Sequence, residues 1–373
     1  MMPELKIEKP RKIQHQIAEH IRNAIWSGAL EQGAKLPSTK ELSVQWDTHA
    51  ATVHGALSIL VREGLLTRRP RVGTIVRKRS EKLARIGLYY SKGVWTTGAM
   101  SGFQRTLYGA LQQSMERAKI SSTVWIDPRP ENQQDTPWAD LVDAAASHKI
   151  QGLIVTATDM WHAEWQNKLP IPSSHFIEGK LSNGVRFNVP DFTQDGVRVL
   201  AKQGCKSVGM IAIVPTTTPD RNAVYEMFHT RFYRTAESLG LEVRDEWVLK
   251  PEPEGKFRST FHEQWGYEQF HKLWDRAEHP DGLLVYTDVV ASGVMLALAE
   301  RQVRVPEELK LVLHKNADVP YVCPVPATFL VSDPKEAADA LLKQVQMQFD
   351  GQPVSTVAIK YSKEVSKGLR RRH

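Results

Sequence analysis

Residues 36–76 read LPSTKELSVQWDTHAATVHGALSILVREGLLTRRPRVGTIV. Ser38 with Glu41 three positions on has the form of a capping box. In it the serine side chain satisfies a free N–H of a new helix and the glutamate reaches back to the serine N–H. A helix is therefore expected from there to about Trp46. Thr48 is placed to cap another helix, whose inner face would be Val53, Leu57, Leu60 and Val61, apolar at helical spacing. Gly64 ends it, and 65–69 and 73–77 then read as two strands about Pro70-Arg71-Val72.

Upstream, Ile13, Ile17, Ile21 and Ile25 recur every four residues with Ala18 and Ala24 beside them, which is one apolar helix stripe. Gly28 follows where a left-handed C-cap belongs, and Gly33 and Pro37 mark a loop. Charge sets this region apart. Of 49 Lys/Arg and 42 Asp/Glu, residues 1–82 hold 15 and 8, leaving 34 of each for the rest of the 373-residue chain. The net charge of +7 thus lies in the first fifth, and a localised positive unit suits a phosphate backbone. Helix, turn, helix and basic ribbon is the order of a winged helix-turn-helix, whose second helix enters the major groove of double-stranded DNA.

The same residues resemble the GntR-type regulators. The match runs through Gly28, Gly33, Leu36-Pro37-Ser38, Glu41-Leu42, Thr52-Val53, Ala56-Leu57, Leu60, Glu63-Gly64-Leu65-Leu66, Arg68 and Gly73-Thr74, in one register without gaps. Where that family has Gly-Val-Ser-Arg before the recognition helix, this chain has Asp47-Thr48-His49-Ala50. The usual Arg after Thr-Val is His54, and a common wing Gly is Arg71. The resemblance implies the fold but not the operator. Expected DNA contacts are Ser38, Thr39 and Lys40 at a helix N-terminus, where free N–H groups favour phosphate. His49, Ala51, Thr52 and His54 are expected at the groove edge, with Arg68, Arg69, Arg71 and Gly73 from the wing. His49 and His54 read equally as a solvated pair on an exposed face.

From about residue 85 the pattern changes. Apolar runs at 85–90, 123–126, 152–156, 207–214, 243–249, 282–286 and 310–313 alternate with helical stretches near 102–118, 138–148, 193–204, 265–277 and 291–300. That alternation signals parallel βαβ units covered on both faces. The expected fold is α/β: a winged helix joined to a two-lobed body of parallel sheets, with ligands at the strands' carboxyl ends. At 373 residues, with 41% hydrophobic and 24% charged content, the chain is long enough for several cores.

This body resembles the effector domain of LacI/GalR-type regulators, itself similar to periplasmic sugar-binding proteins. The points of match are Arg85-Ile86-Gly87-Leu88, Ile150 to Val155, Asp191, Gly204 to Val208, Pro280 to Asp288, Ala291-Ser292-Gly293-Val294, Val305 to Val312 and Pro326-Ala327-Thr328. A GntR-type reader on such a body is the arrangement of arabinose-repressor-like regulators. The resemblance implies three crossings between lobes, here near 188–190, 290 and 325–331. That gives a DNA-binding domain over 1–77, a charged linker over 78–84 and an effector domain over 85–373. Lobe 1 would hold 85–188 and 291–325, and lobe 2 190–290 and 331–361.

The resemblance also implies a small ligand, most often a sugar or its derivative, held by polar residues and an aromatic platform. Candidates past the strand ends are Lys92, Trp95, Thr156, Asp159, Asp191, Arg221, Asp288, Lys315 and Asn316. Asp288 matches the family's late aspartate, though it is also placed to cap the helix after it. Trp95 and Trp161 read as platform or as packing. The family's arginine after the 207–214 strand has no clean counterpart, Arg221 and Arg231 both being out of register. Lys315 or Asn316 stands where an aspartate is frequent, and a lysine there favours an acidic ligand.

Cys205 and Cys323 make no disulfide framework, and the start MMPELKIEKPRK has no apolar core of a signal segment, so a cytoplasmic protein is expected, away from membranes. No phosphate loop, dinucleotide fingerprint or nucleophile elbow occurs. His262-Glu263-Gln264-Trp265-Gly266 has glycine where a zinc-binding helix needs its second histidine. Neither enzyme, metal nor cofactor is expected. The reading is a DNA-binding regulator, acting as a homodimer because one recognition helix reads few base pairs. Its alternatives are a body that dimerises without ligand, or one that senses a non-sugar acidic metabolite.

Overall fold

The computed structural model describes residues 13–26, 29–70, 72–77, 82–91, 102–130, 133–157, 165–176, 181–213, 221–251 and 262–368. The first unit contains α1 (Ile13–Trp26), α2 (Thr39–Gln45), α3 (Ala50–Arg62) and an antiparallel ribbon of β1 (Leu66–Arg69) and β2 (Gly73–Val76). Ile17, Ile21, Leu42, Val53, Leu57, Leu60 and Val76 form one apolar core. The capping box is present, with the Ser38 N–H donating to Glu41 Oε2 at 2.7 Å and the Glu41 N–H to Ser38 Oγ at 3.2 Å. Thr48, expected to cap α3, does not: the N-cap is His49, without a side-chain bond. Asp47, at φ 44, turns that corner in a left-handed conformation that aspartate tolerates. Gly28 lies outside the described residues. Arg22 and Glu63 tie α1 to the end of α3 through two bonds of 3.0 and 2.6 Å.

Two six-stranded sheets follow. The first is ordered β13-β7-β6-β5-β3-β4, all parallel. It comprises β3 (Arg85–Ser91), β4 (Ser121–Asp127), β5 (Gly152–Ala157), β6 (Ser173–Phe176), β7 (Gly184–Phe187) and β13 (Val357–Ile359). One face carries α4 (Gly102–Arg117) and α10 (Pro334–Phe349), and the other α5 (Ala139–Ala146). The second sheet is ordered β14-β12-β11-β10-β8-β9. Its members are β8 (Val208–Ala212), β9 (Val248–Leu249), β10 (Gly282–Tyr286), β11 (Lys310–Asn316), β12 (Pro326–Ser332) and β14 (Ser362–Lys367), the last antiparallel. It is covered by α6 (Val189–Lys202) and α7 (Arg221–Ser238) on one face, and by α8 (His262–Trp274) and α9 (Asp288–Glu300) on the other. Every residue of β8 and β10 is buried, as a parallel strand between two helical layers requires. The α8 and α9 backbones approach closely enough that a Cβ on Gly293 would stand 2.7 Å from the Tyr267 nitrogen and closer still to the Glu263 oxygen.

The division into lobes differs from expectation. Residues 291–325 stay in the second lobe, because β10, β11 and β12 pair in one parallel ladder. Helix α10 and β13, expected in the second lobe, return to the first, where β13 pairs with β7. The chain therefore crosses at 188, at 333 and at 360–361. All three crossings leave or enter the same edge of the second sheet, the carboxyl edge of its parallel strands. Tyr361, in the last crossing, packs against the cores of both lobes. Among the described residues no helix is long and apolar enough to cross a membrane.

Candidate DNA face and ligand cleft

On the first unit, burial of Val53, Ala56, Leu57 and Leu60 turns the opposite side of α3 outward. His49, Ala51 and His54 are exposed there and Thr52 is half-buried. Beside it lies an open groove of about 930 Å³ between the start of α2 and the wing, lined by Lys35, Ser38, Thr39, Arg69, Gly73 and Thr74 among others. It gathers four expected DNA contacts, Ser38, Thr39, Arg69 and Gly73, and adds Lys35, which bridges to Ile75 of the wing. The Ser38 N–H and hydroxyl are already engaged by Glu41, whose carboxyl that N–H bond holds below its ordinary range. Thr39 and Lys40 begin α2, in the first turn, whose N–H groups have no partner within the helix.

Arg68 does not extend from the wing as expected. Its Nη1 donates to His54 Nε2 at 2.9 Å and to Ser58 Oγ at 3.4 Å, while Nη2 reaches the His54 carbonyl at 3.3 Å. Because a guanidinium only donates, His54 accepts through an unprotonated Nε2. The exposed side of α3 and the wing are thus joined into one continuous surface. Arg71 lies outside the described residues.

In the second lobe, polar groups collect along the edge that faces the crossings. Asp288, immediately past β10, accepts from Asn316 Nδ2 at 2.7 Å, and its N–H donates to His314 Nδ1 at 3.1 Å. With Nδ1 accepting, His314 carries its proton on Nε2 and donates to Ser332 Oγ at 2.6 Å. Burial pushes the His314 pKa down to about 4, against the pull of Asp288, so the ring is neutral at ordinary pH. Burial also lowers the pKa of His262, whose charged form Asp288 favours. Asp288 does not cap α9; Thr287 holds that position and Asp288 is the first helical residue.

A second charged group stands at the start of α6, where Asp191 accepts from Arg231 Nη1 at 2.6 Å and from Asn188 at 2.5 Å. Rings join the two groups. Phe192 lies 5.9 Å from His314, 4.8 Å from Tyr286 and 5.3 Å from Tyr361. Phe192, Tyr286 and His314 are buried and Tyr361 half-buried, so the edge offers carboxylate acceptors and amide donors with one partly open aromatic ring, groups that suit a polyhydroxylated ligand.

Lys315 does not join them. Alternation along β11 sends His314 and Asn316 to one face and Lys315 to the other, where its Nζ pairs with Glu364 of β14 at 3.1 Å and lies 5.5 Å from the Phe329 ring. The expectation of a lysine aimed at an acidic ligand is corrected accordingly. Thr156 is buried near the end of β5. Arg221 begins α7, its side chain lying outside the described residues, and Arg231, three turns on, meets Asp191. Lys92, Trp95, Asp159 and Trp161 lie outside the described residues. His262, His314, Ser332, Phe192 and Tyr361 were not anticipated. For His314 the signal was present: it alternates with Asn316 at a strand end.

Residues 13–76 match the model of bacterial regulatory proteins of the gntR family, and 197–364 that of a periplasmic binding protein-like domain. Among curated proteins, the transcriptional repressor NagR of Bacillus subtilis is 33% identical over 114 residues, 30% of this chain and 47% of its own length. The repressor CytR of Escherichia coli K12 is 24% identical over 234 residues, 59% of this chain and 63% of its own. The chain thus spans between about half and two thirds of these relatives. Among solved structures, the lac repressor dimer bound to operator and an anti-inducer superposes with a TM-score of 0.58 at 14% identity, covering 78% of this chain and 96% of that one. The chain joins a GntR-type helix-turn-helix domain to a periplasmic-binding-protein-like domain of the LacI/GalR fold.

Proposed function

We propose that the protein is a ligand-responsive transcriptional repressor, not an enzyme, working in the cytoplasm on a palindromic operator as a homodimer. Residues 1–77 read the DNA and the body from 85 onward takes a small effector, a sugar or sugar derivative, between its lobes. The observation that carries the reading is the Asp288 cluster. Its carboxylate is oriented by Asn316 and its backbone by a neutral, buried His314, at the edge where the chain crosses three times. A carboxylate so held can accept two neighbouring hydroxyls, and the half-buried Tyr361, backed by the buried Phe192, offers an apolar face at the last crossing.

The repressor reading is supported by its relatives NagR and CytR, both transcriptional repressors, and dimerisation by the operator-bound dimer among the fold neighbours. Closure of the lobes on a ligand would reposition the paired winged helices and so change operator affinity.

A thermal-shift screen against mono- and oligosaccharides and sugar acids tests this reading. A compound at about 100 times its Kd should stabilise the protein by about 2.7 kcal/mol, and Asp288→Ala, whose apo melting point falls because the buried Asn316 amide loses its acceptor, should melt alike with and without the compound. A panel without a stabilising compound, or full stabilisation of Asp288→Ala, would overturn it.

A further inference from the structure

The recognition helix does not end in solvent. Gly64, which closes α3 at φ +71, is buried against the turn that follows α5 in lobe 1. His148 Nε2 lies 3.2 Å from the Gly64 carbonyl. A carbonyl only accepts, so Nε2 carries the proton. The fit is close: a Cβ on Gly64 would come within 2.5 Å of the Ala146 oxygen and 2.6 Å of His148 Nε2.

The turn is itself braced. His148 sits at φ +58, and its carbonyl accepts from Arg85 Nη2 at 2.9 Å. The second half of the joint between the units is also fixed. Gln151 Oε1 accepts from the Ala84 and Arg85 N–H groups at 2.8 and 3.1 Å, and Leu83 is buried in the lobe 1 core. Residues 82–84, expected as part of a charged linker, are thus anchored.

We infer that His148, with Arg85 and Gln151 behind it, is a positioning residue that docks the end of the recognition helix on lobe 1. The winged helix is then an extension of lobe 1 rather than a tethered body. The docking contacts Gly64 and leaves the exposed groove-edge residues at the start of α3 uncovered. The bonds that make it, His148 to Gly64, Arg85 to His148 and Gln151 to residues 84 and 85, lie within the first unit, the joint and lobe 1. When two chains pair on an operator, the separation of their recognition helices is set by the placement of their first lobes. This consequence for spacing rests on the dimeric, DNA-binding reading above; the docking itself does not.

The test uses the full chain with two readouts. Glu31→Cys puts a reactive thiol on the exposed surface of the first unit, while Cys205 and Cys323 are buried. A dye there reports the unit's rotation by anisotropy decay. His148→Gly removes the imidazole at a left-handed position that glycine adopts without strain, and Arg85→Ala removes the brace from the other side. The expected result is slow rotation with the whole chain in the parent protein and an added fast component in both variants. Fast rotation in the parent would overturn the docking.

In the second readout, operators are selected from random duplexes. The parent should select one half-site spacing, and the variants several, with about tenfold weaker binding to the parent's operator. That factor follows if the docked state falls to roughly a third in each of two protomers. Freed rotation with unchanged spacing would overturn the role in positioning. If neither protein selects any sequence, the DNA-binding reading fails while the anisotropy result still decides the docking.

Discussion

Lobe 1 buries a histidine that should make the protein acid-sensitive. His175, in the middle of β6, is fully buried, and neither ring nitrogen has a partner among the described residues. Burial pushes its pKa down to about 3, whereas in the unfolded chain it should titrate near 6.5. The unfolded state therefore binds the extra proton, and stability rises with pH through the window between those values, complete above about 6.5. Between pH 7.5 and pH 5 the two binding curves diverge by about 2 kcal/mol. His314, with its pKa lowered to about 4, adds about 2 kcal/mol over the same interval. Asp127 and Asp281 also have lowered values, but their contribution is lost only below pH 5. The perturbation is His175→Leu, close in volume and without a titrating group. Urea unfolding at pH 7.5, 6.5, 5.5 and 5.0 should show the variant at least as stable as the parent at pH 7.5, since an unbonded ring is replaced by an apolar one. By pH 5 the variant should have gained about 2 kcal/mol on the parent. Parallel stability–pH profiles for the two proteins would refute the assignment of a neutral, desolvated His175.

Two other substitutions probe separate parts of the molecule. Gly293→Ala places a methyl against the Glu263 and Tyr267 backbone, atoms that no rotamer change can move, and should cost lobe 2 about 2 kcal/mol or more in urea unfolding. On the DNA face, Arg69→Ala should weaken binding to all duplexes alike and lower the salt slope by about 1. His54→Ala, which removes the acceptor holding Arg68, should instead change which sequences are preferred. Competition binding with specific and random duplexes separates the two, and identical behaviour would contradict the division.

Short-range patterns made the winged helix legible. The Ser38–Glu41 box, the Val53–Leu57–Leu60 face and Gly64 each specify local geometry within a few residues. The α3 cap was misplaced by one residue because Thr48 has the better capping side chain, yet Asp47 takes the left-handed turn and leaves His49 at the N-cap. In the body, the strands were visible but their lobe was not. Apolar runs such as Leu283–Tyr286 and Leu311–Leu313 suit any buried parallel strand, and only pairing decides that β10 to β12 share one ladder.

The site shows the same limit. Asp288 was found from a family position. An apolar run over 310–313 does not distinguish Lys315 from Asn316; the extension of the strand to 316 fixes which faces the cluster by alternation. Arg231 meets Asp191 through the packing of α7 on α6, which leaves no local trace. Nor does the fold of Arg68 onto His54, since it depends on wing and helix lying side by side.

Reciprocal binding tests the central claim most directly. The 373-residue chain would be titrated with a duplex carrying its own upstream region, with and without a saturating compound from the thermal-shift screen. The compound's affinity would then be measured with and without saturating duplex. The account predicts that operator affinity changes and that compound affinity changes by the same factor. Operator affinity that is identical with and without bound compound would contradict it.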